Sequence, residues 1–486
     1  MSLYRIALMA KPIKHLRDFV TPTFIKHILR FLGFDRAVSF GILARLWSLI
    51  AGPITMMVIA TGFSLVEQGF YYTFSSLLAL QIFFDLGLMF VISQFVSHEF
   101  VHLSWGDRGS VAGDPIALQR FTDLLRKTVS WFGVASLLMI IILIPVGIIF
   151  FEQKGVTNFS WRLPWGLAVI GTALNLFVTP FFAVIMGSGD VVTANKRDLA
   201  GTVLGSVLCW LVIGLHGGLY AIFAVNMGSL CIALGYLFAK RPELIKLSWA
   251  GFLWKRTASP RDKGLSWWGE IWPMQWRMAV SSGAAYFVYQ IFNPVLFHFQ
   301  GPVIAGQMGM TMTVGNALLA GSFTIVNART PQFGKLIALH DWHALDRLFS
   351  KTVAQALSLV SFGAVVGVLI VWVLQSYSKF GVRFLPYGQC ALLFGTVCMQ
   401  TVYGSLGVYL RSHKKEPLLI STILASLLQG ITTIFLAEKY GSLGVTAGYA
   451  AVTVFFIFPY VFLVWWRCRK EWHHPDSVSS SPGAIH

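Results

Sequence analysis

Apolar runs of about twenty residues recur along this chain, and no other feature constrains its fold so strongly. A hydrocarbon core about 30 Å thick is crossed by roughly 20 apolar residues in a helix, and each backbone polar group inside it must be paired internally. Twelve such segments are present: Ser39–Thr61, Phe70–Val96, Thr128–Phe151, Pro164–Gly187, Leu199–Leu215, Gly218–Ala239, Ile271–Phe299, Val303–Ala328, Thr352–Gln375, Phe384–Leu410, Pro417–Ala437 and Ser442–Trp466. Of the 486 residues, 56% are hydrophobic and 12% charged, against about 25% charged in a soluble domain. The expected fold is an all-α polytopic membrane protein of about 12 transmembrane helices.

The placement of charge orients the chain. If the N-terminus is cytoplasmic, the loops on that side hold 30 of the 37 Lys and Arg and those on the other side hold 5, leaving Arg45 and Arg277 inside apolar segments. Such a bias over short loops places both termini in the cytoplasm. It also accounts for the net charge of +17 by topology and anionic lipid, with no nucleic-acid partner. Residues 1–38 lack the short apolar core of a cleaved signal. Phe24, Ile25, Ile28, Leu29 and Leu32 share one side there, so a basic amphipathic cytoplasmic segment is expected. The tail, 467–486, ends rich in Ser and Pro-Gly and is expected to be disordered. The five cysteines form no CxxC pair and are read as core thiols, not a metal site.

A cytoplasmic linker, 240–270, divides the segments six and six, giving an N-terminal lobe, 39–239, and a C-terminal lobe, 271–466. A weak repeat supports the division. Ala117-Leu118-Gln119-Arg120 precedes the third segment and Ala344-Leu345-Asp346-Arg347 precedes the ninth; Gln94-Phe95 and Gln332-Phe333 close the second and eighth. Each half has an even number of helices, so the two are parallel repeats related by a pseudo-two-fold along the membrane normal, a common transporter plan.

Polar groups in the membrane are costly, about 2.5–3.5 kcal/mol for a charge at the bilayer centre on insertion scales, and so mark function. Arg45 and Arg277 each lie about 9 Å into the first segment of a half, and Asp85 lies near the middle of the second. The arginines either snorkel or hold a phosphate or other anion by forked bonds. Asp85 is either a structural partner of Arg45 or a coupling or gating site. Gln290 and Asn293 on the seventh segment, with Gln307 and Asn316 on the eighth, are further candidates for substrate binding. Pro53 and Pro294 are expected to kink the first segment of each half.

The stretch Phe40–Phe95, with an Arg in the first segment and the turn Glu67–Tyr72 (EQGFYY), resembles the opening of polysaccharide transporters of the MOP superfamily, the group that includes Wzx-type oligosaccharide flippases. Leu336–Thr352 (LIALHDWHALDRLFSKT) is similar to the amphipathic linker after the eighth helix of that group. The resemblance implies two six-helix lobes in a V, working by alternating access. It implies a polyprenyl-pyrophosphate-linked oligosaccharide as substrate, with Arg45 and Arg277 matching the cavity arginines that hold pyrophosphate. A bacterial inner-membrane location is implied too, with lipids and polysaccharide-assembly proteins as partners. No cofactor is expected beyond proton or sodium coupling.

The main alternative is a multidrug or small-solute exporter of the same architecture. A third reading comes from His98-Glu99-Phe100-Val101-His102, which fits the H-E-x-x-H of zinc peptidases. Asp85, the only deep acid, lies 13 residues before His98 on the same segment, about 20 Å away at helical rise, and cannot complete such a site. The external loops are too short for a polymerase or ligase active site. The chain is therefore expected not to be an enzyme.

Overall fold

The structure is a computed structural model that describes residues 36–153, 160–253, 267–413 and 417–473. The expected amphipathic helix near the N-terminus and residues 474–486 of the C-terminal tail lie outside these residues; residues 467–472, expected to be disordered, instead continue the last helix. The described chain is helical apart from one small hairpin. α1 is Arg36–Gly62; α2, Leu65–Leu78, continues through a 3-10 turn to Asp85; α3 is Leu88–Glu99. The strands β1 (Leu103–Trp105) and β2 (Val111–Gly113) pair antiparallel. α4 (Pro115–Glu152), α5 (Arg162–Gly187), α6 (Val191–Gly214), α7 (Tyr220–Lys240) and α8 (Pro242–Leu253) follow. The second half holds α9 (Trp272–Tyr289), α10 (Phe292–Gln300), α11 (Pro302–Ala338), α12 (Trp342–Tyr377), α13 (Tyr387–Ser412), α14 (Leu419–Val452) and α15 (Phe458–Trp472).

Among the described residues nine helices are long and apolar enough to cross a membrane, ten when α2 and α3 count as one bent span. The others follow from two breaks. Gly441, at φ 62 and ψ −143, interrupts α14, and the Gly448 backbone packs on the Leu436 side chain. Those two residues would be about 18 Å apart on a straight helix, so the chain reverses at Gly441. The seventh segment is split into α9 and α10 at Gln290-Ile291. The result is an all-α multi-pass membrane protein of two six-helix lobes.

The repeated element is capped the same way in both halves. Asp114 Oδ2 accepts from the Ala117 N–H at 2.9 Å at the start of α4, and Asp341 Oδ1 accepts from the Ala344 N–H at 3.0 Å at the start of α12. Each carboxylate satisfies a donor that the first helical turn leaves orphaned. The linker after α7 includes α8, against which Arg126 Nε donates to the Leu247 carbonyl at 3.3 Å.

The molecule has a basic end, carrying the hairpin, α8 and the Asp114 and Asp341 caps, and a far end. The lobes are tightly joined at the far end. Gly69 of α2 crosses α11 so closely that a Cβ there would meet the Pro302 carbonyl, and Gly309 abuts the Tyr72 ring. Small residues let the two backbones approach, which favours packing inside a bilayer. Phe297 of α10 meets Phe70 at 5.0 Å and Phe151 at 5.1 Å, both edge-on, pairs worth about 0.5–1.5 kcal/mol each beyond their burial. Arg383 completes the seal, donating to Gln68 Oε1 at 2.8 Å and to the Phe63 carbonyl at 2.6 Å. Burial among these groups pulls its guanidinium below the ordinary arginine value.

Candidate functional site

Between the lobes, on the basic side of that seal, lie two cavities of about 880 and 420 Å³. They share Tyr71, Ser75, Thr202, Ser206, Tyr289 and Gln290 as wall, and so form one joined space. The larger is walled by α2, α5, α6, α7 and α9, the smaller by α1, α2, α6, α9, α10 and α11.

Two helix breaks face this space. The second segment turns at Leu86 (φ 52) and Gly87 (φ 68), both left-handed, and the two spans meet at 41°. Leucine adopts this conformation at a cost of about 1–2 kcal/mol, so packing must hold it. Gly87 meets α9 of the other lobe: a Cβ there would stand 2.8 Å from Met278 Cβ. Asp85 ends the first piece. It lines the larger cavity, its carboxylate faces the Met89 N–H at the start of α3, and its Oδ1 is buried with no hydrogen-bond partner among the described residues. The break thus places an acid at a helix N-terminus, where the exposed N–H groups favour negative charge. The second break, at Gln290, exposes Gln290 to both cavities.

The other candidates distribute as follows. Asn293 lines the smaller cavity and donates from Nδ2 to Ser76 Oγ at 3.0 Å across the lobes. Asn316 lines it from α11. Arg45 does not line it but continues the stripe Ser48, Gly52, Thr55 of α1 by one turn toward the basic end, where it is exposed. Arg277 is exposed on another face of α9, its guanidinium 5.7 Å from the Trp276 ring centroid. Gln307 lies outside both cavities and bonds the Val382 carbonyl at 2.8 Å near the far-end seal. Asp85 forms no ion pair with Arg45 among the described residues. Pro53 stays inside an unbroken α1, and Pro294 falls in the first turn of α10, where its missing N–H costs nothing.

Sequence reasoning missed much of the larger wall. Asn175 of α5 bonds the Asn226 carbonyl of α7 at 2.9 Å, and Asn226 Nδ2 bonds Thr172 Oγ1 at 3.1 Å. Arg197 lines the larger cavity with its guanidinium 4.5 Å from the Phe182 ring centroid. The apolar run starts at Leu199, which put Arg197 in a loop. The helix begins earlier, at Val191, because Asp190 caps it through the Thr193 N–H at 3.2 Å. An isolated Asn in "GTALNLFVTP" was the available signal for Asn175.

The H-E-x-x-H stretch is not a helical pair of ligands. α3 ends at Glu99, so His102 lies past the helix, and Arg120 holds Glu99 at 2.8 Å. Arg120 also reaches Glu270, 3.0 Å away, on the turn leading into α9. It therefore ties the end of the second segment to the start of the seventh, across the lobes.

No family model matches the chain, and no curated protein matches it in sequence. Solved structures do match. An inward-facing multidrug-resistance MATE-family transporter of the MOP superfamily superposes with a TM-score of 0.53 at 13% identity, over 86% of this chain and 99% of its own. The lipid II flippase MurJ, in an inward closed conformation, gives 0.53 at 13% identity over 88% and 87%. A MOP-superfamily transporter from Pyrococcus furiosus gives 0.51 at 14% identity over 90% and 94%. The architecture is thus that of MOP-superfamily transporters.

Proposed function

We propose that this protein is a flippase that moves a polyprenyl-pyrophosphate-linked oligosaccharide across the bacterial inner membrane by alternating access, with both termini in the cytoplasm. The observation that carries the reading is the character of the joined cavity. Most of the residues lining it carry an amide, a hydroxyl or a phenol, and among the described residues Asp85 and Arg197 are the only charged ones on it. A sugar is recognised through many neutral hydrogen bonds, whereas an apolar drug favours hydrophobic and aromatic lining. The tight packing of the lobes at the far end fits a state that loads from the other, basic side. MurJ, of the same fold, is a lipid II flippase.

A multidrug or small-solute exporter is the second reading, favoured by one feature: Asp85 Oδ1, without a hydrogen-bond partner among the described residues, which suits a cationic solute or a coupling proton or sodium ion. Deletion separates the two. The flippase reading expects lipid-linked oligosaccharide to accumulate on the cytoplasmic face. Unchanged turnover of that lipid in the deletion strain would instead leave export of a small solute.

A further inference from the structure

A third cavity, of about 660 Å³, opens at the basic end among the hairpin loop, α6 and the end of α7. Five basic side chains, Arg108, Lys196, Arg197, Lys240 and Arg241, line it against two carboxylates, Asp107 and Asp190. Its wall is pinned in place. Trp105 Nε1 donates to Ser188 Oγ at 2.9 Å, and the Arg241 guanidinium lies 4.0 Å from the Trp105 ring centroid. Gly109, at φ 82, packs so closely on Arg241 that a Cβ would come within 2.8 Å of its Cα.

Two of the five cations are compensated: Arg241 by Asp190 at 3.2 Å and Arg197 by Asp198 at 2.8 Å. Arg108, Lys196 and Lys240 form no ion pair among the described residues. A topological excess of positive charge needs only dispersed, solvated side chains. Here the excess is gathered into one walled concavity, where the cations repel one another and a multivalent anion relieves that repulsion. Arg197 lines both this vestibule and the larger central cavity, and its Nε is buried without a hydrogen-bond partner among the described residues.

We propose that this vestibule docks a phosphate-bearing anion of the pyrophosphate class through Lys196, Lys240 and Arg108, and that Arg197 is the point where it passes toward the central cavity. The identification of that anion with a transported lipid headgroup rests on the flippase reading; the anion site itself does not.

The test titrates inorganic pyrophosphate into the purified full-length protein and, separately, measures retention of a polyprenyl phosphate in phosphatidylcholine nanodiscs. Lys196→Gln with Lys240→Gln is expected to weaken binding about tenfold or more, the scale of one or two lost charge-assisted bonds. Arg347→Gln with Lys351→Gln, at the basic end of the other lobe, is the control expected to bind as wild type. Higher salt should weaken the wild-type interaction. Retention of the lipid alone assigns the site to a membrane headgroup, and binding of pyrophosphate alone assigns it to a soluble anion. Equal binding by wild type and the Lys196/Lys240 variant, in both arms, overturns the proposal. Pyrophosphate binding lost in that variant, with no lipid-linked sugar moved by the wild type, would leave the vestibule standing and remove the flippase reading.

Discussion

The second and eighth segments occupy matching places in the two halves, yet one is broken and the other is not. Aligned on Gln94-Phe95 and Gln332-Phe333, Asp85-Leu86-Gly87 falls opposite Phe323-Thr324-Ile325. The first triplet turns left-handed at two residues, while the second lies inside the 37-residue α11. Gly87 is what permits the turn, through its free φ and the 2.8 Å approach to Met278. In the first and seventh segments the asymmetry is reversed: α1 runs unbroken and the seventh divides at Gln290. Each half thus contributes one interrupted helix, and both interruptions line the same cavity. Symmetry sets the scaffold, and its local violation supplies polar backbone and side chains where a bilayer-spanning helix would offer none.

The sharpest way to break this comparison is Gly87→Ala. We expect a loss of about 2 kcal/mol from left-handed strain and overpacking on Met278, read as a lowered melting temperature in detergent. Thr324→Ala, at the matching place in α11, should be near neutral. Asp85→Asn should fold as wild type and cut transport in proteoliposomes on the order of tenfold, the value of one charge-assisted contact. Full transport by this variant would remove Asp85 from the site.

A smaller effect distinguishes the two basic-end clamps. Arg120 joins Glu99 to Glu270 across the lobes, whereas Arg469 bonds Asp346 within the second lobe. Arg120→Gln and Arg469→Gln should each cost less than about 1 kcal/mol. Only Arg120→Gln should broaden the distance between spin labels placed at the ends of α3 and α9. The smallest effect concerns His473, which stacks on Trp342 with centroids 4.4 Å apart and contacts Tyr409 Oη at 2.9 Å. Burial holds its imidazole below the ordinary histidine value. The stability it lends is therefore complete above the unfolded-state pKa and is lost as pH falls through the lower folded value. Unfolding of wild type followed from pH 7 down to 5 should show this loss, and His473→Phe should flatten it.

Part of the candidate cavity wall was legible as polar residues inside apolar segments. Asp85 stood out by the cost of its charge, and Gln290, Asn293 and Asn316 by the concentration of polar residues on the seventh and eighth segments; all four line the joined cavity. Arg277 and Gln307, candidates on the same two grounds, lie elsewhere, one exposed beside Trp276 and the other bonded to the Val382 carbonyl. Arg197 was hidden because hydropathy marks where a helix becomes apolar, not where its first turn is capped.

The sequence by itself determined that this chain crosses a membrane many times, because runs of apolar residues have no other stable environment. It also determined which end is basic. The tertiary structure decided which polar groups face one another. A helix has several faces at every depth, and only packing against the opposite lobe selects the one that meets the cavity. It decided, too, that Asp85 ends a helix, since the left-handed turn that follows is held by Met278, almost two hundred residues away in the sequence.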